Sequence, residues 1–163
     1  MHLSRFNNDI KLIATDFDGV VTDGFVYYSN ESLEEIKRVS FKDIMGMSLA
    51  VKNGYKVAII SGERNKIIDR VANKFNLEDV HQGIKDKLAI LLSISEKYSL
   101  PLSNICYLGD DINDIPVLEK VGLAVTVPDA NCKVKDLNNI YITTAQAGNG
   151  AFREVVDLLL DRK

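Results

Sequence analysis

The stretch Ile10-Lys11-Leu12-Ile13-Ala14-Thr15-Asp16-Phe17-Asp18-Gly19-Val20-Val21-Thr22-Asp23-Gly24 decides how this chain folds. It is a short apolar run that stops abruptly at two aspartates and a glycine. A run of this length, closed by turn-forming residues, reads as a buried strand rather than a helix. The same pattern recurs downstream, and 10–15, 56–61, 105–108, 123–127 and 140–143 read as strands. Between them, 43–53, 65–75, 85–98, 113–121 and 151–160 read as helices. Ile67, Ile68, Val71 and Phe75 share one face of such a helix. Gly54 and Gly122 stand where helix C-caps are expected.

Strands alternating with helices over short connections imply right-handed crossovers and a parallel sheet covered on both faces. The expected fold is therefore α/β, a Rossmann-like doubly wound sheet. One segment breaks the alternation. Residues 24–41 hold Phe25-Val26-Tyr27-Tyr28, then polar Ser29-Asn30-Glu31-Ser32, then Ile36 to Phe41. They read as a β-hairpin projecting from the first strand end, too short for a cap domain. Two strands alone are marginal in water, and these carry aromatics, so another subunit is expected to cover them.

With 163 residues, 46% hydrophobic and 26% charged, the chain is expected to form one domain, 1–163, without disulfide or structural-metal support. A net charge of −3 offers no footprint for nucleic acid or an anionic membrane. Cys106 and Cys132 lack metal-ligand spacing and read as reduced thiols. The first residues show no signal-peptide run, and no stretch is long and apolar enough for a membrane span. A cytoplasmic location is the expectation.

In open sheets of this kind, ligands bind beyond the carboxyl ends of the strands, so the residues that follow each strand matter most. Asp16 and Asp18 follow the first, Ser61 and Gly62 the second, and Gly109-Asp110-Asp111-Ile112-Asn113-Asp114 a later one. Lys87 stands at the start of the third helical segment, in Gln82-Gly83-Ile84-Lys85-Asp86-Lys87. Any one of these has a plainer reading: a solvated turn aspartate, a helix cap, an exposed lysine. Together, at successive strand ends, they supply what phosphoryl transfer needs. A phosphate monoester dianion repels an anionic nucleophile, so a cation and hydrogen-bond donors must offset the charge. Mg²⁺ keeps several waters and asks for only a few carboxylate or carbonyl oxygens. Two aspartates spaced by one residue divide the remaining work. One attacks phosphorus, and the other protonates the leaving alcohol and then deprotonates water.

Asp-x-Asp-Gly-Val, Ser-Gly, the lysine and Gly-Asp-Asp-x-x-Asp resemble the four motifs of the haloacid dehalogenase superfamily of phosphatases. The resemblance implies that Asp16 is nucleophile and metal ligand. It makes Asp18 the general acid/base, with its backbone carbonyl on Mg²⁺. Ser61 then binds phosphoryl oxygens, Lys87 neutralises the nucleophile–phosphate pair, and Asp110 binds Mg²⁺ with Asp111 and Asp114 supporting it. Lys42-Asp43, Asp86-Lys87-Leu88, Pro116-Val117-Leu118 and Gly148-Asn149-Gly150-Ala151-Phe152-Arg153-Glu154 are similar to one branch in particular, the phosphatases of 3-deoxy-ulosonic acid phosphates. That branch implies no cap domain, a homotetramer whose neighbouring subunits close each site, and a small phosphorylated sugar acid as substrate.

Within the branch, Gly62, Glu63, Arg70 and Lys74 are the candidate substrate contacts. An Arg after the Ser/Thr-Gly would suit octulosonate 8-phosphate. Glu63, with Lys74 eleven residues on, instead resembles the nine-carbon, sialic-acid-like 9-phosphate phosphatases. Eleven helical residues span roughly 16 Å, so Lys74 is expected to act on a neighbour's site. Arg70 is followed by Val71 rather than a second arginine, and any long tail after Leu160 is expected to be absent. His81 reads as a loop histidine or a substrate contact, and Arg153-Glu154 as an interface or helix-start pair. Two other readings compete. A phosphorylatable receiver domain places its acidic pair before the phosphorylated Asp, whereas here Asp110-Asp111 follow Asp16. A silent oligomerisation module, of the kind fused to cytidylyltransferases, would have lost Asp16, Asp18, Lys87 or Asp110.

Overall fold

The computed structural model describes residues 9–32 and 34–161. Residues 1–8, within the start read as having no signal-peptide run, and Leu33, within the segment read as a hairpin, lie outside the described residues. Six parallel strands form the main sheet: β1 (Leu12–Thr15), β4 (Lys56–Ser61), β5 (Asp79–Gln82), β6 (Ile105–Leu108), β7 (Leu123–Thr126) and β8 (Tyr141–Ile142). Their spatial order is β5-β4-β1-β6-β7-β8. The chain winds outward from β1 through β4 to β5, then returns to place β6 on the other side of β1. The strand order therefore reverses between β1 and β6, which opens a crevice at their carboxyl ends.

Strand residues alternate between two cores. Ile13, Ile59, Cys106 and Val125 meet helices α1 (Phe41–Lys52), α2 (Lys66–Phe75) and α6 (Ala151–Leu160) through Met47, Ile68 and Phe152. Leu12, Ala14, Ile60 and Tyr107 meet α3 (Lys87–Lys97), α4 (Ile115–Leu118) and α5 (Cys132–Lys135) through Leu91, Val117 and Val134. This is the doubly wound α/β sheet that the strand–helix alternation predicts.

Several details differ from the sequence reading. β5 has no place among the strands read from sequence, because Asp79-Val80-His81-Gln82 is too polar for an apolar-run signal. The helix expected over 113–121 is a 3₁₀ turn at Ile112–Asp114 followed by the single turn of α4. Gly54 does follow the end of α1, with φ +87°. Gly122 is not a helix cap. Its amide donates to Leu102 O at 2.9 Å, and a Cβ there would come within 1.9 Å of Ser103 O. Close backbone approach, rather than a left-handed turn, demands that glycine.

The hairpin is present as β2 (Tyr27–Tyr28) and β3 (Glu35–Ile36), antiparallel, with Tyr27 opposite Ile36. Phe25, Tyr27, Tyr28 and Ile36 are all more than half exposed, at 67%, 56%, 61% and 59%. A single antiparallel bridge, Thr22 to Val39, ties the hairpin's base to the loop after β1. Both cysteines are free, Cys106 buried and Cys132 exposed. No helix among the described residues is long and apolar enough to cross a membrane.

Candidate active site

The site lies where the strand order reverses. The amide of Asp16, first residue beyond β1, donates to Leu108 O at 2.8 Å, which locks this strand end against β6. Phe17 N donates to Asp16 Oδ1 at 2.6 Å, fixing the rotamer of the carboxylate. Gly19 continues the turn with φ +82°, and a Cβ on it would fall 2.1 Å from Asp110 Oδ2. The loop after β1 thus presses its backbone onto the carboxylate delivered after β6, which only glycine permits.

Lys87, at the first position of α3, is 1% exposed. Its Nζ donates to Asp16 Oδ2 at 2.6 Å and to Asp114 Oδ1 at 2.8 Å. Burial by itself would lower the Lys87 pKa, but Asp16 and Asp114 together outweigh it and hold the ammonium charged. Asp114 is fully engaged. Tyr107 Oη donates to its Oδ1 at 2.7 Å, and the amides of Asp110 and Asp111 donate to its Oδ2 at 3.1 and 3.2 Å. It therefore holds Lys87 and shapes the Asp110 loop. Asp111 turns outward, accepting from Ile112 N at 2.8 Å and Asn131 Nδ2 at 3.2 Å.

Asp16, Asp110 and Asp114 each offer an oxygen, all within 4.8 Å of one another. Burial first, then Asp114, raises the Asp16 carboxyl above its usual range, with Lys87 opposing only in part. Burial first, then Asp16, Asp114 and Asp111, raises Asp110 likewise. With all three ionised, the one ammonium would leave two negative charges, the surplus behind the raised Asp16 and Asp110. An all-oxygen set with that surplus fits a hard divalent cation such as Mg²⁺, held by Asp16 and Asp110.

A cavity of about 200 Å³ opens beside these groups, lined by Asp16, Asp18, Ser61, Gly62, Glu63, Asp110, Asp111 and Asn113. Ser61 ends β4, and its Oγ accepts from Glu63 N at 3.2 Å, shaping the turn that puts Gly62 and Glu63 on the cavity's rim. Asp18 Oδ1 pairs with Lys37 Nζ at 2.9 Å, a contact from the hairpin that the sequence reading missed.

Arg70 and Lys74 are not brought to this cavity. They lie on α2, beside a separate groove of about 740 Å³ whose other lining residues include Val39, Phe41, Ile44 and Ile67. A helix leaving the sheet from its N-cap at Asn65 carries later residues steadily away from the strand end. Arg70 and Lys74, both read as candidate substrate contacts, therefore do not reach the cavity of their own chain. His81 sits half-buried on β5 and does not line the cavity. Glu154 is structural: it accepts from the amides of Thr144 and Ala145 and from Tyr141 Oη, anchoring the loop before α6.

A family profile described as haloacid dehalogenase-like hydrolase matches residues 63–154. A 3-deoxy-D-manno-octulosonate 8-phosphate phosphatase of Salmonella typhi is 36% identical over 98% of this chain and 84% of its own length. The chain belongs to the haloacid dehalogenase-like hydrolases. The namesake phosphatase of Escherichia coli K12 is 38% identical over 93% of this chain and 80% of its own. Among solved haloacid dehalogenase-like structures, that enzyme from Moraxella catarrhalis, crystallised with magnesium, phosphate and KDO, superposes with a TM-score of 0.92. It is 32% identical and covers 100% of this chain and 94% of that one. The cobalt-bound enzyme of Haemophilus influenzae gives 0.87 at 27% identity, covering 96% and 90%.

Proposed function

We propose that this chain is a Mg²⁺-dependent phosphatase of a 3-deoxy-ulosonic acid phosphate, acting on 3-deoxy-manno-octulosonate 8-phosphate. The observation that carries the reading is the convergence of Asp16, Asp18, Ser61 and Asp110 on one small cavity, with Lys87 buried behind Asp16. The names of the relatives favour the eight-carbon substrate. The nine-carbon preference drawn from Glu63 and Lys74 finds no support among them and is set aside.

Asp16 attacks phosphorus and forms an aspartyl-phosphate, while the ester oxygen leaves as the alcohol with a proton from Asp18. Asp18 then takes a proton from water as that water attacks the phosphoryl group and frees Asp16. Lys87 balances charge on Asp16, and Ser61 meets a phosphoryl oxygen. Bound Mg²⁺ offsets the negative charge that otherwise keeps nucleophile and phosphate apart. A cavity of about 200 Å³ is smaller than the pockets that enclose a whole drug-sized ligand, so it takes the phosphoryl end. The rest of the sugar acid extends past Gly62, Glu63 and Asn113 towards the hairpin of a second subunit, in the proposed homotetramer.

The test is release of inorganic phosphate from a panel: octulosonate 8-phosphate, a nine-carbon 9-phosphate and an aryl phosphate, with and without Mg²⁺. The highest kcat/KM is expected for the eight-carbon compound, and only with the metal. Preference for the nine-carbon compound would restore Glu63 as the specificity residue.

A further inference from the structure

Lys37 stands on the returning limb of the hairpin, and the chemistry above does not use it. Its side chain is 5% exposed, unusual for a lysine in a projecting loop. Its Nζ lies 2.9 Å from Asp18 Oδ1. Two residues further on, Val39 makes the bridge to Thr22 that holds this limb against the loop carrying Asp18. Thr22 is buried and itself acts on the same oxygen. Its hydroxyl accepts from Gly19 N and Gly24 N at 3.2 and 3.3 Å, which leaves its single proton for Asp18 Oδ1 at 3.3 Å. Oδ1 thus has two donors. Oδ2 is buried and has no partner among the described residues.

We propose that Lys37 is a positioning residue, which together with Thr22 clamps Asp18 Oδ1 and so holds the carboxyl in one orientation beside the leaving-group oxygen. The proposal rests on the phosphatase reading. As a bond forms between Asp16 and phosphorus, the ester P–O bond breaks and its electron pair passes to the departing oxygen. That oxygen takes the proton carried by the Asp18 carboxyl. In the second half, the Asp18 carboxylate takes a proton from water, whose oxygen bonds to phosphorus as the Asp16–phosphorus bond breaks. One carboxyl therefore gives and receives the proton. The terminal torsion of an aspartate is broad and nearly two-fold, so an unclamped carboxyl turns freely and loses this aim. The hairpin, which lies outside the sheet, thereby sets the geometry of the acid/base.

The experiment compares Lys37→Met, which keeps the stem without the ammonium, with Lys37→Arg, which returns a donor. In the presence of Mg²⁺, kcat/KM is measured on octulosonate 8-phosphate, whose alkoxide needs a proton, and on dinitrophenyl phosphate, whose phenolate does not. This constant covers the steps through breaking of the ester bond, so it reports proton delivery to the leaving group. Lys37→Met is expected to lose about 10²-fold on the sugar-acid phosphate and less than about 3-fold on the aryl phosphate, and Lys37→Arg to recover most of the loss. Equal losses on both substrates by a folded variant, or no loss on either, overturn the positioning role. If the wild-type protein cleaves the aryl ester but not the sugar-acid phosphate, the substrate assignment fails instead. The same comparison with a simple primary alkyl phosphate then decides Lys37. A wild-type protein that hydrolyses no phosphate monoester overturns both.

Discussion

Lys87 has two carboxylates within 2.8 Å of its Nζ and no exposed side-chain surface. Its ammonium is the counter-charge set between Asp16 and Asp114 in a buried place. Lys87→Met removes it while keeping most of the stem's volume. Because it strands largely buried carboxylates, the metal-free variant is expected to lose about 3 kcal/mol by chemical denaturation at neutral pH, along with its turnover. Mg²⁺ should return part of that stability, since it binds the folded carboxylates. Unchanged stability in the variant would show that the ion triad is not what balances the site. Asp16, Asp18, Ser61, Lys87 and Asp110 were legible from sequence because each stands at a strand end or a helix start, where the fold aims side chains at one edge. Lys37 and Tyr107 were not. Lys37 reaches Asp18 only through the hairpin's fold-back, and Tyr107 sits inside an apolar strand where its hydroxyl gives no periodic signal.

At the scale of elements, α1 and α6 are joined by a buried carboxylate. Asp43, in the first turn of α1, accepts from Gly150 N at 2.9 Å and Arg153 N at 3.2 Å, closing the start of α6. Gly46 lets the two helices touch, since a Cβ there would lie 2.9 Å from Arg153 Cα. Burial pushes Asp43 up to about 6 from 3.8, against the pull of the backbone amides. A raised carboxyl keeps its proton in the folded state after the unfolded chain has released it. Its contribution to stability is therefore full below about pH 4 and falls as pH rises to about 6. Relative to Asp43→Asn, which cannot titrate, the native protein should lose on the order of 2 kcal/mol between those limits. Parallel stability curves for the two proteins would refute the assignment. Both helices were read correctly as elements, but their joint was not. Lys42-Asp43 and Gly148-Asn149-Gly150 lie about a hundred residues apart, and local patterning carries no trace of such a contact. β5 escaped for the opposite reason: it is a strand by virtue of its neighbour β4, with an ordinary polar sequence.

At the scale of the whole molecule, the hairpin and the groove of about 740 Å³ leave apolar surface that a single copy does not cover. Tyr27 and Ile36 oppose each other on a two-stranded ribbon, which is marginal alone in water. In the proposed homotetramer these side chains pack between subunits. Light scattering should report four copies, and Tyr27→Asp should shift the population toward smaller species and lower turnover together. A fully active monomer would dismiss that part of the account. The central claim, that Asp16 is the nucleophile of a Mg²⁺-dependent phosphatase, is tested most directly by phosphate release from octulosonate 8-phosphate with native protein and Asp16→Asn. The native protein should turn over only with Mg²⁺, and the variant, still folded, should lose at least about four orders of magnitude. Turnover by Asp16→Asn within tenfold of the native rate would contradict it.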